Sequence, residues 1–329
     1  MKALVTGGCG FIGSHLVERL LEEGCQVVVL DNLKTGRLSN LKAVSHDPKL
    51  TVVQKDITQL EEIRNDFKGI EAVFHLAALA DIVPSIQRPV DYYHTNVTGT
   101  LTVLEAARTA GVRRFLYAGS SSCYGIPDRY PTPETAPVKP EYPYALTKYL
   151  GEQLALHWGK VYRFEVLSLR LFNVFGPRAR TGGTYGAVMG VFLAQKLANK
   201  PLTIVGDGTQ KRDFTYVTDV AEAFWLAGTR SLRNEVLNVG SGATYSVNRL
   251  AQLVGGSTMT IPKRPGEPDC TFADITKIRR LLGWTPKVSF EAGVKRLLDR
   301  ISDWSDAPVW TPESIANATK EWFSYLSVP

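Results

Sequence analysis

The chain has 329 residues, of which 44% are hydrophobic and 21% charged, enough for one large α/β unit with an appended lobe. Its formal net charge is +6, but Lys and Arg are spread along the chain, so a solvated surface explains the excess first, a polyanionic small ligand second, and nucleic acid a distant third. Four scattered cysteines with no C-x-x-C pair, no bilayer-length apolar run and a strand at the very N-terminus lead to the expectation of a cytoplasmic protein with reduced thiols, no metal site, no secretory leader and no membrane partner.

K-A-L-V-T (2–6) predicts a first strand, and F-I-G-S-H-L-V-E-R-L-L-E-E-G (11–24) has helical spacing stopped by a glycine. Between them, T-G-G-C-G-F-I-G (6–13) spaces Gly7, Gly10 and Gly13 as G-x-x-G-x-x-G. The early glycines let backbone approach a diphosphate. Gly13 lets the helix pack close to the sheet, and the helix N-terminus, with Phe11 and Ile12, faces negative charge. Q-V-V-V-L-D (26–31) predicts a second strand ending in Asp31. An acid there accepts hydrogen bonds from ribose hydroxyls and repels a 2′-phosphate, which selects NAD over NADP. A turn or helix-cap aspartate is the plain alternative, and the glycines rank it well below the ribose reading. The third strand (51–57) ends in Asp56 and Ile57, where an adenine edge would lie; a simple strand-end turn accounts for that pair almost equally well.

Further strands are predicted at 72–78, 114–120 and 165–173, with helical patterns at 60–67, 96–111 and 143–159. Strand–helix alternation with β-branched strands predicts a Rossmann-type doubly wound parallel sheet covered on both faces. After about residue 174 the pattern loosens, with helices expected near 185–199, 274–283, 289–304 and 312–326. V-L-N-V-G (236–240) reads as a strand that returns to the main sheet. The expected division is an NAD-binding domain over 1–174, with 205–245 returning in part to it, and a smaller substrate-binding lobe over 175–329.

Residues 118–125 read A-G-S-S-S-C-Y-G, and 142–148 read Y-P-Y-A-L-T-K. Tyr144 and Lys148 share a helical face, while Leu146, Leu150, Leu154 and Trp158 form another stripe that can anchor the helix. A phenol is a poor base at neutral pH. A nearby ammonium and the positive nicotinamide ring would favour the phenolate, and Ser120 can bond the same substrate oxygen. These parts fit proton abstraction from an alcohol while hydride leaves its carbon. Either motif alone would pass as a surface pair or a strand-end hydroxyl cluster; in this order behind the glycine loop they point to chemistry.

Together with D-N-L-K-T-G (31–36), H-L-A-A (75–78), N-V-T-G-T (96–100), L-F-N-V-F-G-P-R (171–178), G-D-G-T-Q-K-R-D-F (206–214) and R-P-G-E-P (264–268), these motifs resemble the extended short-chain dehydrogenase/reductases over nearly the whole chain. Within them the likeness is to nucleotide-sugar epimerases of the UDP-glucose 4-epimerase type. The resemblance implies Tyr144 as catalytic base, Lys148 as its partner and Ser120 beside it. It places Asn32, Leu33, Thr35 and Gly36 around the adenosine ribose and phosphates, and Leu76, Ala77, Ala78 and Asn96 along the cofactor. It puts Ser122 in the sugar pocket, Asn173, Arg212 and Arg264 at the substrate diphosphate, Glu267 at the uridine ribose, and Leu202, Thr203 and Ile204 beside uracil. It also implies a homodimer through helices 96–111 and 143–159.

Departures bear on the reaction. Family dehydratases and uronate decarboxylases carry an acid in the segment that here reads Ser121-Ser122-Cys123, and its absence argues for hydride return, which is epimerisation. A lysine found in some epimerases is replaced by Ala80, and the neighbouring Asp81 has no counterpart in this reading. Thr271, in C-T-F-A-D, leaves room for an N-acetyl group where a tyrosine would not. Arg180 stands where related uronate epimerases grip a C6 carboxylate, or else faces solvent or the diphosphate. The expected activity is C4 epimerisation of UDP-Glc/UDP-Gal or their N-acetyl forms, with UDP-glucuronate 4-epimerisation, dehydration or decarboxylation as the rival. A non-catalytic NAD-binding scaffold is the reading from another class, and the intact Ser120, Tyr144 and Lys148 stand against it.

Overall fold

The computed structural model describes residues 1–179 and 187–326. Among the described residues, thirteen strands run in chain order: β1 Lys2–Thr6, β2 Gln26–Asp31, β3 Leu50–Gln54, β4 Ala72–His75, β5 Arg114–Ser120, β6 Glu165–Leu171, β7 Val174–Phe175, β8 Leu202–Val205, β9 Lys211–Arg212, β10 Thr215–Tyr216, β11 Glu235–Val239, β12 Tyr245–Ser246 and β13 Thr258–Ile261. The α-helices are α1 Phe11–Glu22, α2 Leu60–Ile63, α3 Ile82–Gln87, α4 Pro89–Tyr93, α5 Gly99–Thr109, α6 Pro143–Tyr162, α7 Val188–Leu197, α8 Val217–Thr229, α9 Val247–Val254, α10 Thr276–Leu282, α11 Phe290–Leu298 and α12 Pro312–Leu326.

Seven strands form the central sheet in the order β11-β6-β5-β4-β1-β2-β3, and all of its pairings are parallel. The chain reverses direction across the sheet between β1 and β4, which opens a crevice at the strands' carboxyl ends. One apolar layer joins the sheet to α1, α8 and α10, with Leu16, Leu20, Phe224 and Ile278 fully buried. The opposite layer, built on Leu4, Phe115, Leu104 and Val166, lies under α5 and α6. A separate core around Phe175, Phe192, Phe214 and Phe290 holds the C-terminal lobe, where β8 pairs with β13. The strand expected at 236–240 is β11, in register with β6 from Glu235–Leu167 to Val239–Leu171.

The leucine stripe docks helix α6 only in part: Leu154 and Trp158 pack against the core layer. The buried positions are Ala145, Thr147, Lys148, Gly151, Glu152, Ala155 and Gly159, whereas Leu146 is exposed and Leu150, Leu154 and Trp158 are half-buried. Small residues face the sheet because the helix lies very close to it: a Cβ on Gly151 would strike the Tyr117 hydroxyl. The segments 213–229 and 247–254, not predicted as helical, carry α8 and α9.

Candidate active site

Strand β5 delivers Ser120 to the crevice, and a 3₁₀ turn over Ser121–Tyr124 follows at once. The Ser120 side chain caps that turn, its Oγ accepting from the Ser122 amide at 3.2 Å. Pro143 starts α6, so Tyr144 lies in the first turn and its hydroxyl donates to Ser120 Oγ across 3.4 Å. Lys148, one turn further along, is buried, with its ammonium 4.4 Å from the centroid of the Tyr117 ring. Burial lowers its pKa to about 7, against the opposing pull of Glu152. Burial also pushes the Tyr144 phenol up; its bond with Ser120 offsets part of this, and the Asp81 carboxylate adds to it. Among the protein's own groups, desolvation is the largest influence on this phenol.

The glycine loop forms a cradle. Gly7 has φ +70°, and a Cβ there would collide with the Ala77 backbone, while one on Gly13 would run into Gly7 and Gly8. Gly10 opens α1 with no capping side chain, so the amides of Phe11, Ile12 and Gly13 form an uncapped first turn. Asp31 is buried at the end of β2, accepting from the Cys9 amide at 3.0 Å and the Leu33 amide at 2.9 Å, and burial raises its pKa. Gly36 lies against both Asp31 oxygens, which leaves no space for a side chain, and Thr35 stands beside it. Asn32 donates to Asp56 at 2.9 Å. Burial acts upward on Asp56, but bonds from Thr58 and Asn32 hold it at about 2. Ile57 is buried against α5, just past the end of β3. Leu76 and Ala77 anchor their amides on Thr6 Oγ1 at 3.2 Å, and Ala78 is half-buried.

Asn96 is placed differently from its expected role. It sits in a π-helical turn, His94–Thr98, and is buried. Both of its amide hydrogens are used, on the Leu79 carbonyl and Thr147 Oγ1 at 3.0 Å, and its oxygen accepts from the Leu79 amide at 2.8 Å. It ties the loop after β4 to α6, so its effect on a cofactor would pass through that loop.

At the other end of the crevice a cleft of about 550 Å³ is lined by Gly206, Gln210, Arg212, Lys263 and Glu267 among others. Arg212 pairs with Glu267 at 2.8 Å and Arg264 with the same carboxylate at 3.5 Å, so three expected substrate residues converge. Thr271 donates to Asn173 Oδ1 at 2.7 Å and accepts from the Asp213 amide at 3.1 Å. Leu202, Thr203 and Ile204 do not present side chains to this cleft. All three are buried in β8, and Thr203 is bonded to Gln195 through both its amide and its hydroxyl. Ser122 is half-buried beside Ser120. Arg180 lies outside the described residues.

The model of the NAD dependent epimerase/dehydratase family matches residues 3–240. This chain belongs to that family. It is similar to the UDP-glucose 4-epimerase of Mycolicibacterium smegmatis, at 37% identity over 91% of this chain and 98% of that protein. It is likewise 35% identical to the UDP-glucuronate 4-epimerase of Thermodesulfobacterium geofontis, over 95% and 98% of the two chains. Among solved structures, the UDP-glucose 4-epimerase of Thermotoga maritima with UDP-glucose superposes with a TM-score of 0.86 at 35% identity, covering 92% of this chain and 99% of that one.

As a member of the epimerase/dehydratase family the chain is an NAD-dependent enzyme, and the cradle suits that cofactor. The space at Gly7, Gly13 and Gly36 admits backbone only, the α1 amides suit a diphosphate, and Asp31 keeps lone pairs for ribose hydroxyls. Sequence reasoning missed several groups around the tyrosine. Tyr142 stands parallel to Tyr144, with ring centroids 6.4 Å apart, and Tyr92 meets Tyr144 edge-on. The Glu152–Arg170 pair, at 2.6 Å, is buried one turn beyond Lys148. Its signal was present, since Glu152 continues the four-residue spacing of Tyr144 and Lys148. No local pattern marks Tyr142 or Tyr92. Among the described residues, no group of three or more His, Cys, Asp or Glu is arranged to hold a metal ion.

Proposed function

We propose that this enzyme inverts C4 of a UDP-sugar, UDP-Glc/UDP-Gal or the N-acetyl forms. The observation that carries the reading is the Ser120–Tyr144–Lys148 cluster at one end of a crevice whose other end gathers Arg212, Arg264 and Glu267. Tyr144 takes the proton from the 4-hydroxyl, and Ser120 holds the same oxygen. Lys148, on the same face of α6, supplies positive charge near it. Bound NAD supplies the acceptor and donor of the C4 hydride. The arginines grip the diphosphate, for which a forked cation is suited, while the 4-keto sugar turns about its link. Tyr144 then returns the proton, so the net redox change is zero and the cofactor can stay bound.

A rival reading follows from the likeness to a UDP-glucuronate 4-epimerase. Against dehydration and decarboxylation stands the turn Ser121–Tyr124, which offers hydroxyls and a buried thiol but no acid. The reading extends to a homodimer through α5 and α6. Exposed apolar side chains on α6, Leu146, Val161 and Tyr162, support it. A cytoplasmic location is proposed from the scattered free cysteines; among the described residues no helix is long and apolar enough to cross a membrane.

The test is incubation with UDP-, GDP- and dTDP-sugars, with products separated and followed by NMR, and the cofactor released by denaturation identified. Epimerisation of UDP-Glc or UDP-GlcNAc by protein carrying NAD(H) is expected. Turnover of UDP-glucuronate alone would replace the sugar assignment, and NADP in place of NAD would overturn the Asp31 argument.

A further inference from the structure

The last helix, α12, buries only Ile315, Thr319 and Trp322. Ile315 belongs to the core of the C-terminal lobe. The helix also packs against α3, which belongs to the cofactor half and begins just after Asp81. It therefore ties one lobe to the other beside the crevice.

Trp322, in its last full turn, is 3% exposed and touches both ends of the site. Its indole N–H donates to the Pro265 carbonyl at 2.7 Å. The Arg264 guanidinium lies over its ring, 5.5 Å from the centroid. The ring also meets Tyr142 at 6.3 Å, and Tyr142 stands parallel to Tyr144 with an interplanar angle of 8°. A continuous column, Tyr144–Tyr142–Trp322–Arg264, thus joins the catalytic phenol to an arginine assigned to the diphosphate.

We propose that Trp322 is a positioning residue for this reaction, holding Arg264 and the 264–268 loop for the nucleotide and, through Tyr142, the ring of Tyr144 for the sugar. The inference rests on the UDP-sugar reading above. Its physical basis is that an arginine on a glycine- and proline-rich loop has many rotamers to lose on binding. An aromatic face and a bond to the loop's own backbone remove most of them beforehand. A phenol placed by a stacked neighbour is similarly ready for proton transfer.

The test uses the full-length protein with bound cofactor: UDP affinity by calorimetry, kcat and KM with the sugar that the panel identifies, and NAD content. Trp322→Leu removes both the ring and the N–H; it should weaken UDP binding about 10-fold and lower kcat about 10-fold, with NAD content unchanged. Trp322→Phe keeps a ring and loses the bond to Pro265; kcat should return to within about 2-fold of wild type while UDP affinity stays about 3-fold weak. A Trp322→Leu protein that retains NAD and shows wild-type kcat and UDP affinity overturns the proposal, whatever its melting temperature. Should that variant fail to fold, Tyr142→Leu decides. It should lower kcat about 10-fold with UDP affinity intact, and an unchanged kcat overturns the proposal. Wild-type protein that binds no UDP and turns over no UDP-sugar removes the functional reading itself, and the proposal with it. That outcome is distinct from any confined to the variants.

Discussion

The ammonium of Lys148 lies against the face of Tyr117, whose hydroxyl donates back to the Lys148 carbonyl at 3.0 Å. One aromatic side chain thus both holds the α6 backbone and supplies the surface on which its lysine rests. The ring is attractive to a cation but cannot replace water, so burial dominates and the lysine titrates at about 7.

That value has a measurable sign. The Lys148 ammonium should titrate near pH 7 by NMR while exposed lysines remain protonated to about 10.4. The unfolded chain keeps this proton over the whole interval, so the site makes stability rise with pH between about 7 and 10.4. Lys148→Met should remove that increment from the pH dependence of denaturant midpoints. Glu152→Gln should move the Lys148 midpoint lower, because Glu152 acts in the opposite direction to burial.

Tyr144→Phe should lower turnover by about two to four orders of magnitude, the range for loss of an acid–base group. UDP binding should survive, since Arg212 and Arg264 lie at the other end of the crevice. A near-normal rate would show that another group carries the proton.

Asp81 is the carboxylate that acts on the Tyr144 phenol, raising its pKa in addition to burial, the larger cause. Tyr144 must lose its proton to act as base. Asp81→Asn should therefore move the acid limb of the kcat/KM profile to lower pH. A limb that stays in place or moves upward would exclude electrostatic control by Asp81.

Arg212→Ala and Arg264→Ala should each weaken UDP binding by about 1.5–3 kcal/mol, the worth of a charge-assisted contact, and leave NAD content alone. Calorimetry with UDP checks this, and unchanged affinity in both would place the nucleotide elsewhere.

Thr271→Tyr should depress turnover of UDP-GlcNAc far more than that of UDP-Glc, by filling the space near C2. It also removes the hydroxyl that joins Asn173 to the Asp213 amide, so some loss on both sugars is expected. Equal loss on the two substrates would mean that Thr271 supports Asn173 and does not select the sugar.

The sheet was legible because its strands are short, mostly apolar runs separated by helical patterns, and the cofactor loop because part of its constraint is local: Gly13 packs on Gly7 and Gly8 themselves, whereas the closeness of Gly7 to the Ala77 backbone needs the fold. Helix α8 was missed although V-T-D-V-A-E-A-F-W-L-A-G-T buries Val217, Val220, Ala221, Phe224 and Ala227 at helical spacing between α1 and the sheet; the glycine- and proline-punctuated stretch before it reads as loop. The face of α6 was read only in part: Leu154 and Trp158 of the stripe do pack on the core, but the helix approaches the sheet through alanine and glycine, which carry little hydrophobic signal. Asp81 acts on Tyr144, and Trp322 meets the neighbouring Tyr142, only through tertiary packing, which sequence spacing does not encode. The uracil-flanking reading of 202–204 named a strand whose side chains are committed to the lobe's own core.

The pairing of β11 with β6 has a consequence for how the protein is made. Until Glu235–Val239 emerges from the ribosome, β6 is an uncovered sheet margin that carries Val166, Leu167 and Leu169, none of which has exposed surface in the folded protein. The nascent N-terminal half must wait while the first part of the C-terminal lobe is translated, with an open strand able to recruit a neighbouring chain. A fragment ending at residue 174 should consequently aggregate on expression, and one ending beyond α8 and β11 should be markedly more soluble. The two lobes are thus linked by the order of synthesis, since the sheet that carries Ser120 is completed by residues translated after the lobe that would receive the sugar has begun.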